Sequence, residues 1–580
     1  MSILKKIGNA VVNFLKKDLE RDKQFYRKHP VRFILVYGSI FAALAVVTAL
    51  NISLRWDDTI RAFNESEHAP DVTSIVLTQE EKLEEFDYIC TVLNENMPSL
   101  SLFKERYGID FNENYEKYRT AIENTKDNYE YYCTLNAIFN DIPSCHTWLY
   151  YPQYSNYGRS ANQFSFMGSF NLKNYTDYWK HYLHDTAVST TSDNYFLARY
   201  YTGNSAYFID DAYGTPAFSD GKYTSAKIVS VDDIPADEFI AYSLSNYDLF
   251  YDTLNSKAYR DTFIFSPDIS YGKKRAVKLE LNDGTTEIIE AYCDPAVAVT
   301  SALGSYTREE IDNDDDGPEY FYHVDKENNI TYVDIHSLYD VEQEVKELLQ
   351  GIETNNIILD LRNNGGGYLN DFYECIYSPL FDESAVSTHT YYVPYSRLNE
   401  KEYFSIHPLV DIIRRKNDPI VFTEKPDLPV LNGTEKYAEY STELKLTAGN
   451  THDRNICVLI SNGTASSADA LSCDIKEYTD ATVIGQKSTI GEGRGSSFIE
   501  LMLPESKLSM AYYPAIAFNP DGTNNSVYGT EPDIYISYSF EDDIILNDML
   551  RNGEDPYTYE NRLKWDNALL KAIEVFETAA

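Results

Sequence analysis

ICVLISNGTASSADALSCDIKEYTDATVIGQKSTIGEGRG, residues 456–495, is the stretch from which the rest of the chain is read. Ile456, Val458 and Ile460 make a short β-rich apolar run, Asn462-Gly463 is a turn signal, and an Ala/Leu-rich helical pattern follows. Ser466 thereby falls where a strand hands over to a helix, among unsatisfied backbone N–H groups at the positive end of the helix dipole. A hydroxyl placed there can attack a carbonyl while neighbouring amides hold the developing oxyanion. The plainer reading is that Ser466 or Thr464 only caps the helix.

A second strand pattern, Ile357 to Leu359, runs into Asp360-Leu361-Arg362 and then the three glycines 365–367. Consecutive glycines permit positive φ and close backbone approach, which suits N–H groups aimed at a ligand oxygen. A tight turn that needs glycine for its shape alone is the competing account.

Together these segments resemble the C-terminal-processing (tail-specific) serine peptidase family, which includes the tricorn core protease. The resemblance rests on four blocks in the family's order: DLRNNGGG at 360–367, NGTASSAD at 462–469, a GxxxTxGxG run at 485–493 and GTEPDI at 529–534. It implies Ser466 as nucleophile, with backbone oxyanion donors at Gly366 or Gly367 and at Ser467. The base is where the chain departs from its relatives. Many members carry a lysine in a TFGKG segment, and here that position is Glu492. The tricorn branch instead pairs its serine with a histidine from a helical cap, supported by a glutamate. His146, in the segment Cys145-His146-Thr147, occupies that place, with Glu492, Asp469 and Glu531 as candidate supporting acids. Imidazole accepts a proton near neutral pH with an unperturbed pKa of ~6.5, whereas lysine at ~10.4 must first be strongly depressed. His146 rather than Lys487 is therefore the expected base.

The chain has 580 residues, 43% of them hydrophobic, so several domains with real cores are expected rather than disorder. A formal charge of −41 would repel phosphate backbones and argues against nucleic acid as a partner. The N-terminus breaks the acidic pattern: residues 1–32 hold nine Lys/Arg against three acids, a net of +6. Phe33 to Leu50 then runs eighteen residues without a charge, about 27 Å of helix, enough to span a hydrocarbon core. The basic flank predicts a cytoplasmic N-terminus, one membrane anchor and everything beyond it outside the cytoplasm. A cleaved signal peptide is the alternative, disfavoured by the long flank and the lack of a clear small-x-small site.

The predicted fold is multidomain α/β with an N-terminal transmembrane helix, and the family resemblance implies a helical cap, a PDZ-like β-subdomain and a crotonase-like α/β core. The boundaries are a basic cytoplasmic segment 1–32, the anchor 33–50, a linker 51–78, the cap 79–148 and a Tyr-rich insertion 149–205. The PDZ-like subdomain follows at 206–300, the peptidase core at 301–540 and a helical segment at 541–580. The last includes an amphipathic helix over 559–579. A PDZ-like module can hold extended peptide by strand addition, or it can serve only as a spacer.

Asp312, Asp314, Asp316 and Gly317 mimic the start of a calcium loop, but His323 stands where the bidentate glutamate belongs. The seven cysteines show no CxxC and no HExxH is present, so neither a zinc site nor a disulfide framework is indicated. His181 and His184 read as surface residues. The expectation is a membrane-anchored, extracytoplasmic serine endopeptidase acting on protein or peptide substrates, with no metal or cofactor. Its rivals are a catalytically silent homologue that binds peptides, supported by the missing lysine, and a crotonase-type acyl-CoA enzyme, disfavoured by export away from CoA.

Overall fold

A computed structural model describes residues 75–151, 168–190, 194–210, 221–268, 272–304, 307, 318–403, 420–431, 434–450, 454–486 and 488–579. The basic segment 1–32, the span 33–50, most of the linker, the acidic loop 312–317 and Lys487 lie outside these residues. Among the described residues no helix is long and apolar enough to cross a membrane.

The cap begins at α1 (Gln79–Asn96), whose start is set by a capping box between Thr78 and Glu81. With α2 (Asn128–Phe139) it buries Phe86, Ile89, Leu93, Leu135 and Ile138 in one core. The Tyr-rich insertion contributes α3 (Gly168–Thr190) to that same core through Trp179 and Leu183. On α3, His184 is buried rather than on the surface, 3.3 Å from Asp185. Leu501, Met510 and Tyr512 of the hairpin Ile499–Met502/Ser509–Tyr512 complete the cluster, so cap and catalytic region share apolar burial. Trp148 and Leu149 also pair antiparallel with Ala511 and Met510. That short ladder holds the segment carrying His146 against the far end of the chain.

The β-subdomain is an antiparallel sheet in which Thr286–Tyr292, Lys274–Glu280, Lys227–Val231, Ala206–Ile209, Phe196–Tyr201 and Thr262–Phe265 lie side by side in that order. It takes in Phe196–Tyr201, so the sheet starts before the predicted boundary at 206; the hairpin turn at Gly203-Asn204 joins strand to strand.

The α/β region is a six-stranded sheet of β1 (Tyr320–Asp325), β2 (Ile330–Ile335), β3 (Asn356–Asp360), β4 (Asn455–Ile460), β5 (Thr482–Gly485) and β6 (Ile534–Tyr535), arranged in chain order. β1 pairs antiparallel with β2 and every later pair is parallel. Parallel strands are covered on both faces, which explains why β3 and β4 read as near-continuous apolar runs. Side chains alternate across the sheet. Ile357, Leu359, Ile456 and Val458 pack with Ala468, Leu471 and Ile475 of α4 (Ser467–Tyr478). Ile358, Cys457 and Leu459 face Ala568, Leu569 and Phe576 of α5 (Asn567–Ala579). The expected single helix over 559–579 is interrupted after Tyr559–Arg562. Asp566 restarts it, accepting from the Leu569 N–H while also gripping Arg362 at 2.6 and 2.9 Å. The DLR block thus anchors the C-terminal helix as well as leading into the glycines.

Candidate active site

At the C-terminal ends of β3 and β4 two loops lock together. Thr464 Oγ1 donates to the Leu361 carbonyl (2.7 Å), Ser461 Oγ to that of Arg362 (2.5 Å), and the Ala465 N–H to Asn364 O (3.0 Å). A third loop joins them: the Ser466 N–H donates to Gly491 O (3.1 Å) and the Ile490 N–H to Thr464 O (3.2 Å). Asp469, on the first turn of α4, fastens that loop by accepting from Thr489 Oγ1, the Gly493 N–H, Asn525 Nδ2 and Thr530 Oγ1. Its carboxylate is consumed by structure, which removes it as a supporting acid.

Ser466 precedes α4 with φ 51° and ψ −123°, a conformation that costs a non-glycine residue on the order of 1–3 kcal/mol. Its side chain makes no capping hydrogen bond. A capping serine would spend its hydroxyl on the helix; this one does not. Among the described residues Ser466 Oγ has no hydrogen-bond partner, and the residue is half-buried beside a cleft of about 740 Å³.

The glycines act in two different ways. The Gly366 N–H donates to Asn364 Oδ1 (2.9 Å), and Asn364 is itself held by the Ile335 carbonyl, so Gly366 is not a free oxyanion donor. Its missing side chain is what serves: φ is +102°, and a Cβ would lie 2.7 Å from Ser466 Cβ and 2.9 Å from the Ser467 nitrogen. Among the described residues the N–H groups of Gly367 and Ser467 donate to no acceptor. Ser467 Oγ donates to the Gly367 carbonyl (2.7 Å), which holds these two donors in register.

His146 and Glu492 line the same cleft from the cap and from the third loop. The Glu492 carboxylate is fully buried and accepts from the His146 N–H (2.9 Å) and Ser144 Oγ (2.8 Å), with Cys145 Sγ at 3.4 Å. His146 Nδ1 lies 3.2 Å from Glu492 Oε2, yet the angle does not make a hydrogen bond, and Nδ1 is buried without another partner. Phe498 and Tyr513 flank the imidazole at 5.6 and 5.3 Å between ring centroids. Burial, then the Glu492 charge, holds the Cys145 thiol well above its ordinary range, so it is no nucleophile.

Glu531 is elsewhere: it pairs with Arg106 at 3.2 Å, tying the cap to the GTEPDI block. Sequence reasoning passed over His336, Tyr339, Tyr368, Trp148 and Phe498, which complete the cleft wall. His336 follows the end of β2, a placement that could have singled it out. Its ring lies 3.1 Å from Asp334, and that interaction, outweighing burial, raises its pKa.

The profile of peptidase family S41 matches residues 329–536. No curated protein matches the chain in sequence. Among solved structures the chain is similar to mature CPAF, at 14% identity over 86% of this chain and 98% of that one, with a TM-score of 0.45. The photosystem II D1 C-terminal processing protease gives 14% identity over 79% and 94%, with a TM-score of 0.29. The tricorn protease gives 12% over 86% of this chain and 36% of that one, with a TM-score of 0.24.

Proposed function

The profile of peptidase family S41 matches residues 329–536, and we propose that the chain is a serine peptidase in which Ser466 attacks the scissile carbonyl, with His146 as its base and Glu492 as the acid that orients His146. In this reading the hydroxyl proton passes to His146 Nε2 as Ser466 Oγ bonds to the carbonyl carbon. The oxyanion that forms is held by the N–H groups of Gly367 and Ser467, and each such donor is typically worth about 3 kcal/mol of transition-state stabilisation. His146 then returns the proton to the leaving amine, and water repeats the sequence on the acyl-enzyme. Closing the Nδ1 to Glu492 angle on substrate binding would fix the tautomer that leaves Nε2 free to accept, since catalytic hydrogen bonds often tighten only in the complex.

The observation carrying this reading is the uncapped, strained Ser466 in one cleft with two unspent amide donors and a histidine–carboxylate pair. The aromatic wall formed by Trp148, Phe498, Tyr339 and Tyr368 favours apolar side chains of a protein or peptide substrate. The sheet over 196–292 is read as a PDZ-like module able to add an extended peptide strand, and the six-stranded region as a crotonase-like core.

A fluorophosphonate probe should label the purified chain from residue 51 onward, and Ser466→Ala should abolish both labelling and hydrolysis, by several orders of magnitude, at an unchanged melting temperature. Normal turnover with lowered melting would return Ser466 to the role of a cap. Absence of labelling and hydrolysis in the wild-type chain would favour the silent, peptide-binding homologue.

The location follows from the same sequence signals as before: an anchor at 33–50, the N-terminus cytoplasmic and the peptidase outside. Protease added to intact cells should digest the bulk of the chain and spare an N-terminal tag. A fully released protein would overturn the anchor.

A further inference from the structure

Cys145, His146 and Glu492 bring a thiol, an imidazole and a carboxylate to one point, with one ligand atom from each all within 4.8 Å of one another. The two edges that meet at Glu492 Oε2 are close to what a tetrahedral ion requires. From Zn–S of ~2.3 Å and Zn–N or Zn–O of ~2.0–2.1 Å, the edges of a tetrahedron come to about 3.3 Å for N···O and about 3.5 Å for S···O. The corresponding distances are 3.2 Å from His146 Nδ1 to Glu492 Oε2 and 3.4 Å from Cys145 Sγ to the same oxygen.

A second observation points the same way. His146 is 7% exposed and its Nδ1 is a buried polar atom that no hydrogen bond satisfies, although a carboxylate oxygen lies within reach. Buried unsatisfied polar atoms of this kind call for an ion or a water.

We infer that Cys145 Sγ, His146 Nδ1 and Glu492 form a reversible zinc site whose occupation switches the peptidase off. The donor set suits Zn²⁺, which takes S, N and O ligands tetrahedrally and leaves a fourth position for water facing the cleft. On binding, the thiol proton leaves to solvent and the metal takes the Nδ1 lone pair. The proton of the neutral imidazole then sits on Nε2. In that state Nε2 is a donor and cannot accept the Ser466 proton. Inhibition follows without the metal touching Ser466. The inhibitory step rests on the assignment of His146 as base; the site itself does not.

The experiment therefore reads binding and activity separately. Co²⁺ added to chelator-treated Ser466→Ala protein should produce thiolate-to-cobalt charge-transfer absorption, which Zn²⁺ displaces stoichiometrically. Cys145→Ser should remove that absorption and weaken Zn²⁺ binding, measured by calorimetry, by more than about tenfold, the range lost when even an outer-shell partner of a ligand is removed. In the Ser466 enzyme, Zn²⁺ should inhibit reversibly. Cys145→Ser should keep its activity in chelator and shift the inhibitory concentration by the same factor as the binding constant. Cys145→Ala serves as the second variant should serine disturb the loop. No charge-transfer absorption, or one unaffected by replacing Cys145, overturns the site. Binding with unchanged turnover upholds the site and overturns the switch, and with it the role given to His146.

Discussion

Among the described residues two buried histidine–carboxylate pairs, His389–Asp474 and His146–Glu492, differ in what their polar atoms are doing. His389 Nε2 lies 3.2 Å from Asp474 Oδ2, which also accepts from Tyr373 (2.6 Å), while Oδ1 accepts from Ser387 (2.8 Å) and Arg494 (2.7 Å). Each carboxylate oxygen there has two donors, and the group ties α4 to the strand Ala385–Pro394 and to the segment following Glu492. The His146–Glu492 pair opens on the cleft, with Nδ1 unsatisfied and the nearby Ser466 hydroxyl unused. By composition alone the first set, with its serine, histidine and aspartate, looks more like a catalytic triad than the second. Satisfaction separates them. A fully bonded polar cluster specifies packing, and a set with unspent donors and lone pairs is available for chemistry.

The comparison is broken or sharpened by substituting each set. Of the two pairs, the larger effect on rate is expected at His146: His146→Ala should lower kcat/KM by about 10²–10⁴-fold, the range for losing a general base, with little change in melting temperature. His336→Ala, which alters another histidine lining the cleft, is the control. Loss of activity there with His146→Ala still active would transfer the role to His336.

Gly366→Ala should come next. A Cβ at φ +102° is strained and would press on Ser466 Cβ and the Ser467 nitrogen, where the oxyanion is expected. A loss of about 10²–10³-fold in kcat is the usual consequence of spoiling one oxyanion donor. A KM effect alone would mean that Gly366 shapes binding rather than the transition state.

For Asp474→Asn the expected damage is to stability, about 3–5 kcal/mol in urea unfolding, because it leaves the buried Arg494 without its charge partner. The sign with pH can be checked. Burial raises the Asp474 carboxyl, but His389, Arg494 and Tyr373 together outweigh it and hold the folded pKa below the ordinary aspartate value. A depressed folded pKa contributes stability that is fully present above the unfolded value and lost as pH falls through the folded one. The wild-type advantage over Asp474→Asn should therefore be constant near neutrality and vanish in acid below about pH 4. An advantage that grew with acidity would reverse the assignment.

How much of this was legible in the sequence depends on locality. The strand-to-helix handover at Ser466, the glycines 365–367 and the buried apolar runs of β3 and β4 were readable because each is set within a dozen residues. The pairing of His146 with the core came through the family resemblance, since it depends on a two-residue ladder to Met510 and Ala511 that carries no pattern of its own. The place of α3 in the cap core was hidden because tyrosines supply weak apolar periodicity. Engagement of the Gly366 N–H by Asn364 and of Asp469 by four donors was illegible for the same reason: hydrogen-bond partners are set by tertiary packing. So was the cluster of Cys145 with Glu492, 347 positions apart.

The smallest effect is expected at Lys487, and it tests the departure from a Ser–Lys dyad most directly. For a lysine at 487 to reach the place Glu492 occupies, the loop would have to slip by five residues. The residues that follow it are pinned: the Thr489 N–H to Thr530 O (3.1 Å), Thr489 Oγ1 to Asp469 (2.5 Å), the Ile490 N–H to Thr464 O (3.2 Å), and Gly491 O to the Ser466 N–H (3.1 Å). The Gly493 N–H adds a further bond to Asp469 (3.1 Å). At roughly 1 kcal/mol each these bonds oppose a slip by several kcal/mol, and the slip would also withdraw the carbonyl that holds Ser466 in its strained conformation. Gly493 resists independently, since a Cβ there would lie 2.1 Å from Ser466 O, and any residue carried into its place brings one. Lys487→Ala should therefore leave kcat/KM within about twofold of wild type, the scale of a substitution that removes nothing the site uses. A dead Lys487→Ala beside an active His146→Ala would mean that the loop does rearrange, and that a displaced Ser–Lys dyad replaces the histidine mechanism.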